Sequence, residues 1–292
     1  MELKRLLLII LNIELTKKVV GFIRPLSNFT SKVPRQEYEY YGNVVQHPYA
    51  VQIYSTEKVR KPTYFEVDGW NFECSGALLS EILVLTTAKC VQDKKFYIVC
   101  AGDTATYSFM NPAVPTLVVN KAVHPLYEKG NPDYNIAMVK VIPSLITSIT
   151  IHSIEICYTQ NWEYLSEWKK ANATVVGWEK NEDRKEISID YTKTMAKKEC
   201  GLKMKSLRIF ADPVPPLCTS SCLETPYNCK NQEGALAIVN GYLYGIGSQL
   251  EDEDCETTFY TTFTSYGIAH WIEKHMQILS NSDNWITGFE NK

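Results

Sequence analysis

The chain reads as all-β with a single helix at its C-terminus. From Asn43 onward, short runs rich in β-branched and aromatic residues follow one another, broken by turn residues. Two of these runs are joined by Asn240-Gly241, a dipeptide that marks a tight hairpin. A helical apolar period is confined to the end, at Ile268, Trp271, Ile272, His275, Met276 and Leu279.

In chain order, strands are expected at Tyr49–Tyr54, Ala77–Thr87, Phe96–Ala101, Thr116–Val123, Asn135–Val141, Ala173–Trp178, Leu236–Val239 and Tyr242–Ser248. The late helix is amphipathic and is expected to dock its apolar face. Residues 14–42 carry Pro25 and Pro34 and show no period, which suits a leader or extended segment. No internal repeat is visible. The expected division is a signal peptide over 1–20, a leader over 21–42, the folded domain over 43–280 and a tail over 281–292.

The 292 residues suffice for one large or two ordinary domains with a buried core. Hydrophobic residues at 45% and charged residues at 22% exclude a disordered or fibrous chain. The 30 basic and 33 acidic residues leave a net charge of -3, which argues against a nucleic-acid partner. Nine cysteines are too dispersed for paired zinc ligands, so no metal or cofactor is expected and a disulfide framework is the better reading. Such bonds need an oxidising compartment. Met1-Glu-Leu-Lys-Arg5 followed by Leu6 to Leu11 offers a cationic region and a short apolar core, far shorter than the ~20 residues of a membrane span. The sequons Asn28-Phe-Thr and Asn172-Ala-Thr agree with a secreted, extracellular glycoprotein.

Four segments then carry a family resemblance. They are Cys74-Ser-Gly-Ala-Leu-Leu-Ser with Val84-Leu-Thr-Thr-Ala-Lys-Cys90, His124-Pro-Leu-Tyr with Asp133-Tyr-Asn135-Ile-Ala-Met-Val-Lys-Val, Val175-Val-Gly-Trp178, and Cys229-Lys-Asn-Gln-Glu-Gly-Ala-Leu. With the terminal Trp271-Ile272 helix they resemble, in order and spacing, the trypsin/chymotrypsin-like serine proteases over roughly Tyr49 to Met276. The resemblance implies two packed six-stranded antiparallel β-barrels with a cleft between them and a C-terminal α-helix. It also implies bridges Cys74 to Cys90, Cys200 to Cys218 and Cys229 to Cys255. A fourth family bridge falls on Ala173 and Val239, and Cys100, Cys157 and Cys222 have no family partners.

On the same footing, Lys89 stands at the family's catalytic histidine, Asn135 at its aspartate and Glu233 at its serine. Acyl transfer on this scaffold needs a hydroxyl nucleophile, a base near neutral pKa and a carboxylate that orients the base, and all three roles are vacant. Asn231 replaces the oxyanion-hole glycine, and Gln232 replaces the aspartate that receives a new N-terminus after activation. Arg35 before Gln36 lies at about the family's cleavage distance, which admits either cleavage or an exposed linker with a chance arginine. Tyr227 at the base of the specificity pocket and Tyr260 at its wall imply a closed pocket. Lys89 and Glu233 are either solvated remnants or an ion pair with Asn135 as polar neighbour. Lys193, Lys197, Lys198, Lys203, Lys205 and Arg208 form either an exosite for an acidic partner or glycosaminoglycan or an ordinary solvated helix and loop. Glu251-Asp-Glu-Asp254 with Glu256 is read the same two ways, as a rim that repels acidic substrates or recruits a basic partner, or as a solvated run.

The resemblance therefore implies a secreted, non-catalytic homologue that acts by binding, as a cofactor, decoy or regulator in an extracellular immune or reproductive protease cascade. Its expected partners are proteins, an active serine protease or an inhibitor among them. Two alternatives stand beside it: a residual serine-type endopeptidase, and a venom, storage or structural secreted protein with no specific protease partner.

Overall fold

The computed structural model describes residues 45–58, 70–93, 95–102, 114–129, 134–158, 171–178, 187–206, 217–220, 233–248, 257–263 and 266–282. The chain divides into two units, Met1–Gly42 and Asn43–Lys292, and every described residue lies in the second.

β1 (Ala50–Thr56) is buried along its whole length, and its period-two alternation sends side chains to two apolar clusters. Val51 and Ile53 join Val84, Val99 and Val139. Ala50 and Tyr54 join Leu85, Ile136 and Met138, together with Val176, Trp178 and Leu236 from the second half of the chain. β2 (Asn71–Ser80), β3 (Leu83–Thr86), β4 (Phe96–Ala101), β5 (Val114–Val123) and β6 (Ala137–Ile142) close on β1 as a barrel in the order β1-β2-β3-β6-β5-β4, all antiparallel. A second closed antiparallel barrel runs β10-β11-β12-β9-β8-β7. It is built from β7 (Asn172–Trp178), β8 (Ile187–Thr194), β9 (Leu217–Ser220), β10 (Leu236–Val239), β11 (Tyr242–Ser248) and β12 (Thr257–Thr262). The two six-stranded barrels implied by the resemblance are the fold. Closure leaves neither sheet with an open edge.

Strand boundaries correct the sequence reading in three places. Ala77–Thr87 is not one strand: it reverses at Glu81-Ile82, so that Ala77 faces Leu85 and Leu78 faces Val84. That turn holds no glycine, proline or asparagine, and apolar residues stand close on both sides of it. Asn135 precedes β6 rather than starting it, because Tyr134 adopts a left-handed backbone (φ 56°) that interrupts the extended chain. β8, β9 and β12 were not anticipated. Their buried residues include Thr192, Thr194, Thr219, Thr261 and Thr262, β-branched side chains that suit a pleated strand but carry no apolar signal. The hairpin signal holds, since Asn240 (φ 51°) and Gly241 (φ 83°) both take the left-handed conformation between β10 and β11.

Three helices complete the described chain: α1 (Ala88–Val91), α2 (Lys197–Ser206) and α3 (Tyr266–Asn281). α2 buries Cys200 and Met204, one turn apart, in a small cluster with Cys218 and Phe259. α3 buries Ile268, Trp271, Ile272 and Leu279 and packs on β3, β5 and β6 of the first barrel. Its exit is held there too, for Lys140 Nζ donates to the Ser282 carbonyl at 2.6 Å. His124, just after β5, stacks on Tyr134 at 4.8 Å and meets Trp271 at 5.3 Å, while His275 lies 4.4 Å from Trp271. The His124 imidazole accepts the Leu126 N–H at Nδ1 (3.3 Å), and burial, reinforced by His275, pushes its pKa down to about 4.

Candidate functional site

Lys89 sits on α1, a single turn that the chain enters directly from β3. The turn is fixed from both sides, because Ala88, Cys90 and Val91 are buried and Cys90 is bonded to Cys74 on β2. Lys89 alone faces outward, with its side chain 48% exposed. Asn135 is 3% exposed. It is aimed by the left-handed Tyr134 before it, whose ring is held on His124 and whose carbonyl accepts the Ile136 N–H at 2.7 Å.

Glu233 comes from the second barrel, just before β10. Its carbonyl accepts the Ser75 N–H of β2 at 3.0 Å, which draws this loop against the first barrel. Gly234 makes that approach possible. It takes φ 78°, and a Cβ there would lie 2.0 Å from the Ser75 carbonyl oxygen. The same serine ties in β7, its Oγ accepting the Trp178 N–H at 2.9 Å.

The three side chains close into a circuit. The Lys89 backbone N–H donates to Asn135 Oδ1 at 2.9 Å, and Asn135 Nδ2 donates to Glu233 Oε1 at 2.9 Å. Glu233 Oε2 then lies 3.5 Å from Lys89 Nζ. Asn135 Nδ2 also reaches Ser248 Oγ, at the end of β11, at 3.0 Å. The amide thus spends its acceptor on the first barrel and both donors on the second, so one side chain cross-links the two halves. Glu233, buried at 5% exposure, has its two oxygens met by an amide and an ammonium. Of the two readings of Lys89 and Glu233, the distances agree with the ion pair, although the lysine end remains open to water.

Ser248 and Ser75 are the members that sequence reasoning missed. Ser75 lies in the Cys74-Ser-Gly segment and Ser248 at the end of an expected strand, but neither position marks a contact, and only the closure of both barrels brings them to Asn135 and Glu233. Tyr260 is buried in the second-barrel cluster with Leu217, Ala237 and Val239, its hydroxyl 3.2 Å from Thr219 Oγ1. The bridges Cys74–Cys90 and Cys200–Cys218 are present, the second fastening α2 to β9. Cys100 and Cys157 are buried in different clusters. Lys198 is exposed on α2 and Lys203 half-buried, while the side chains of Lys197 and Lys205 fall outside the described set. Arg35, Asn28, Arg208, Cys222, Tyr227, Cys229, Asn231, Gln232, the acidic run 251–256 with Cys255, and the expected segments 1–20 and 21–42 also lie outside the described residues.

Comparison with known proteins agrees with this architecture. The family model described as Trypsin matches residues 41–272. No curated protein matches the chain by sequence. Among solved structures the chain is similar to mouse neuropsin, a serine protease expressed in the limbic system of mouse brain, at 20% identity and a TM-score of 0.59. The match covers 80% of this chain and 96% of neuropsin, and at that identity the likeness bears on the fold.

Proposed function

We propose that this chain, which belongs to the trypsin family, is an exported homologue without protease activity that works by binding another protein. The observation that carries the proposal is the circuit of Lys89, Asn135 and Glu233, the residues that the family resemblance sets at the triad, with distances of 2.9, 2.9 and 3.5 Å. A serine protease needs at that place an imidazole that takes a proton from a hydroxyl. Here a carboxylate stands at the nucleophile position and its oxygens are engaged. An attack by Glu233 would give an anhydride, with a negative charge beside the oxyanion that hydrolysis must stabilise. The serine hydroxyl that reaches the cluster, Ser248 Oγ, meets the Asn135 amide and not an imidazole.

Export is supported by the two disulfides, which persist in oxidising compartments, and glycosylation follows from export where a sequon is accessible. The partner is a protein of an extracellular proteolytic cascade, an active protease or its inhibitor, with the basic stretch around α2 as the contact surface. Purified, disulfide-bonded chain treated with a fluorophosphonate probe and a peptide library, beside an active member of the family, tests the reading. Neither labelling nor cleavage is expected. Stoichiometric labelling of a serine in the chain would end the proposal.

A further inference from the structure

The second barrel carries an unusual combination on its outer surface. Asn172, the first residue of β7, is exposed and opens the sequon Asn172-Ala-Thr174. The residue between is turned inward and buried, so Asn172 and Thr174 share the outer face. Among the described residues nothing engages the Asn172 carboxamide. The register of β7 on β8 sets Lys193 opposite Asn172 and Tyr191 opposite Thr174. Tyr191 is 72% exposed, one of the most exposed large side chains of the described chain. As the diagonal neighbour of Asn172 it lies about 7–8 Å away, a gap that the first ring of an attached sugar spans.

We infer that Asn172 is an attachment site for an N-linked oligosaccharide and that its first N-acetylglucosamine packs its apolar C–H face on the Tyr191 ring. This deepens the proposed function and rests on its export. The donor is a lipid-pyrophosphate-linked oligosaccharide of the secretory pathway. The Asn172 amide nitrogen bonds to the anomeric carbon, the carbon–oxygen bond to the pyrophosphate breaks, the lipid pyrophosphate departs and the amide proton passes to the transferase. The chemistry explains the two surface features together: an aromatic ring left in water on a barrel wall, and an accessible acceptor beside it. The glycan covers the β7–β8 face and leaves α2 as the part of the basic stretch open to a partner.

The test expresses the full chain in a secreting eukaryotic cell, recovers it from the medium and digests it with trypsin. Tryptic cleavage after Lys170 and Lys180 isolates Asn172 on the peptide 171–180, away from Asn28. Peptide-N-glycosidase F in heavy-oxygen water is expected to convert Asn172 to labelled aspartate, and Asn172→Gln is expected to remove one glycan from the intact mass. Removing the glycan from folded wild type should lower Tm by roughly 1–3 °C, and Tyr191→Ala should abolish that difference. Secreted, disulfide-bonded protein with a bare 171–180 peptide overturns the attachment site and leaves export standing. A glycan present with an undiminished Tm difference in Tyr191→Ala overturns the stacking. Chain retained in the cell with its Cys74 and Cys90 thiols reduced overturns the export reading and the site with it.

Discussion

Asn135 and Lys89 hold the same circuit with different strengths, and burial decides which matters more. Truncating Asn135 leaves the Lys89 N–H, Glu233 Oε1 and Ser248 Oγ without their amide partner, so Asn135→Ala is expected to cost about 2–4 kcal/mol. Lys89 gives one ammonium, half in water, and Lys89→Met is expected to cost no more than about 1 kcal/mol. Urea midpoints of the two variants order them, and a larger loss in Lys89→Met would mean that charge and not the amide fastens the cleft. Glu233→Ser places a hydroxyl in the circuit with no imidazole beside it. This variant is expected to stay unreactive toward a fluorophosphonate, and burst labelling would show that Lys89 can serve as a base. The identity of these three residues was legible in the sequence because flanking cysteines and apolar runs place them. Their mutual contact stood there only as one of two readings, for it depends on Tyr134 turning left-handed and on a backbone bond from Ser75.

At the level of elements, α3 is docked through an imidazole that must stay neutral. His124 Nδ1 accepts a backbone N–H, and its pKa falls from 6.5 unfolded to about 4 folded. Between those values the unfolded chain binds the extra proton. Stability that is fully present above pH 6.5 is therefore lost progressively as pH falls toward 4, by about 1–3 kcal/mol. His124→Gln is expected to flatten that portion of a Tm-against-pH profile, and an unchanged slope would place the titration elsewhere. The strands that the sequence revealed are those with aliphatic cores, such as β4, β10 and β11. Those it concealed bury threonine, whose hydroxyl makes a buried strand look like a loop.

For the whole molecule, the seam between barrels is set by backbone contact. Gly234→Ala would press a Cβ against the Ser75 carbonyl and force a left-handed alanine, and is expected to cost about 2–5 kcal/mol. If its denaturation midpoint matched wild type, the barrels would have to slide freely past each other. The pairing of barrels was visible in advance through four motifs, whereas the backbone contact at their seam uses one glycine and one serine whose roles exist only in three dimensions. The last helix adds a different kind of union. β12 belongs to the second barrel, yet α3 crosses to lie on the first, where Lys140 grips its end. Tension on the chain after Ser282 would be borne by the half made earliest in synthesis, and a protein cut short before Tyr266 would lose one of the ties between its halves.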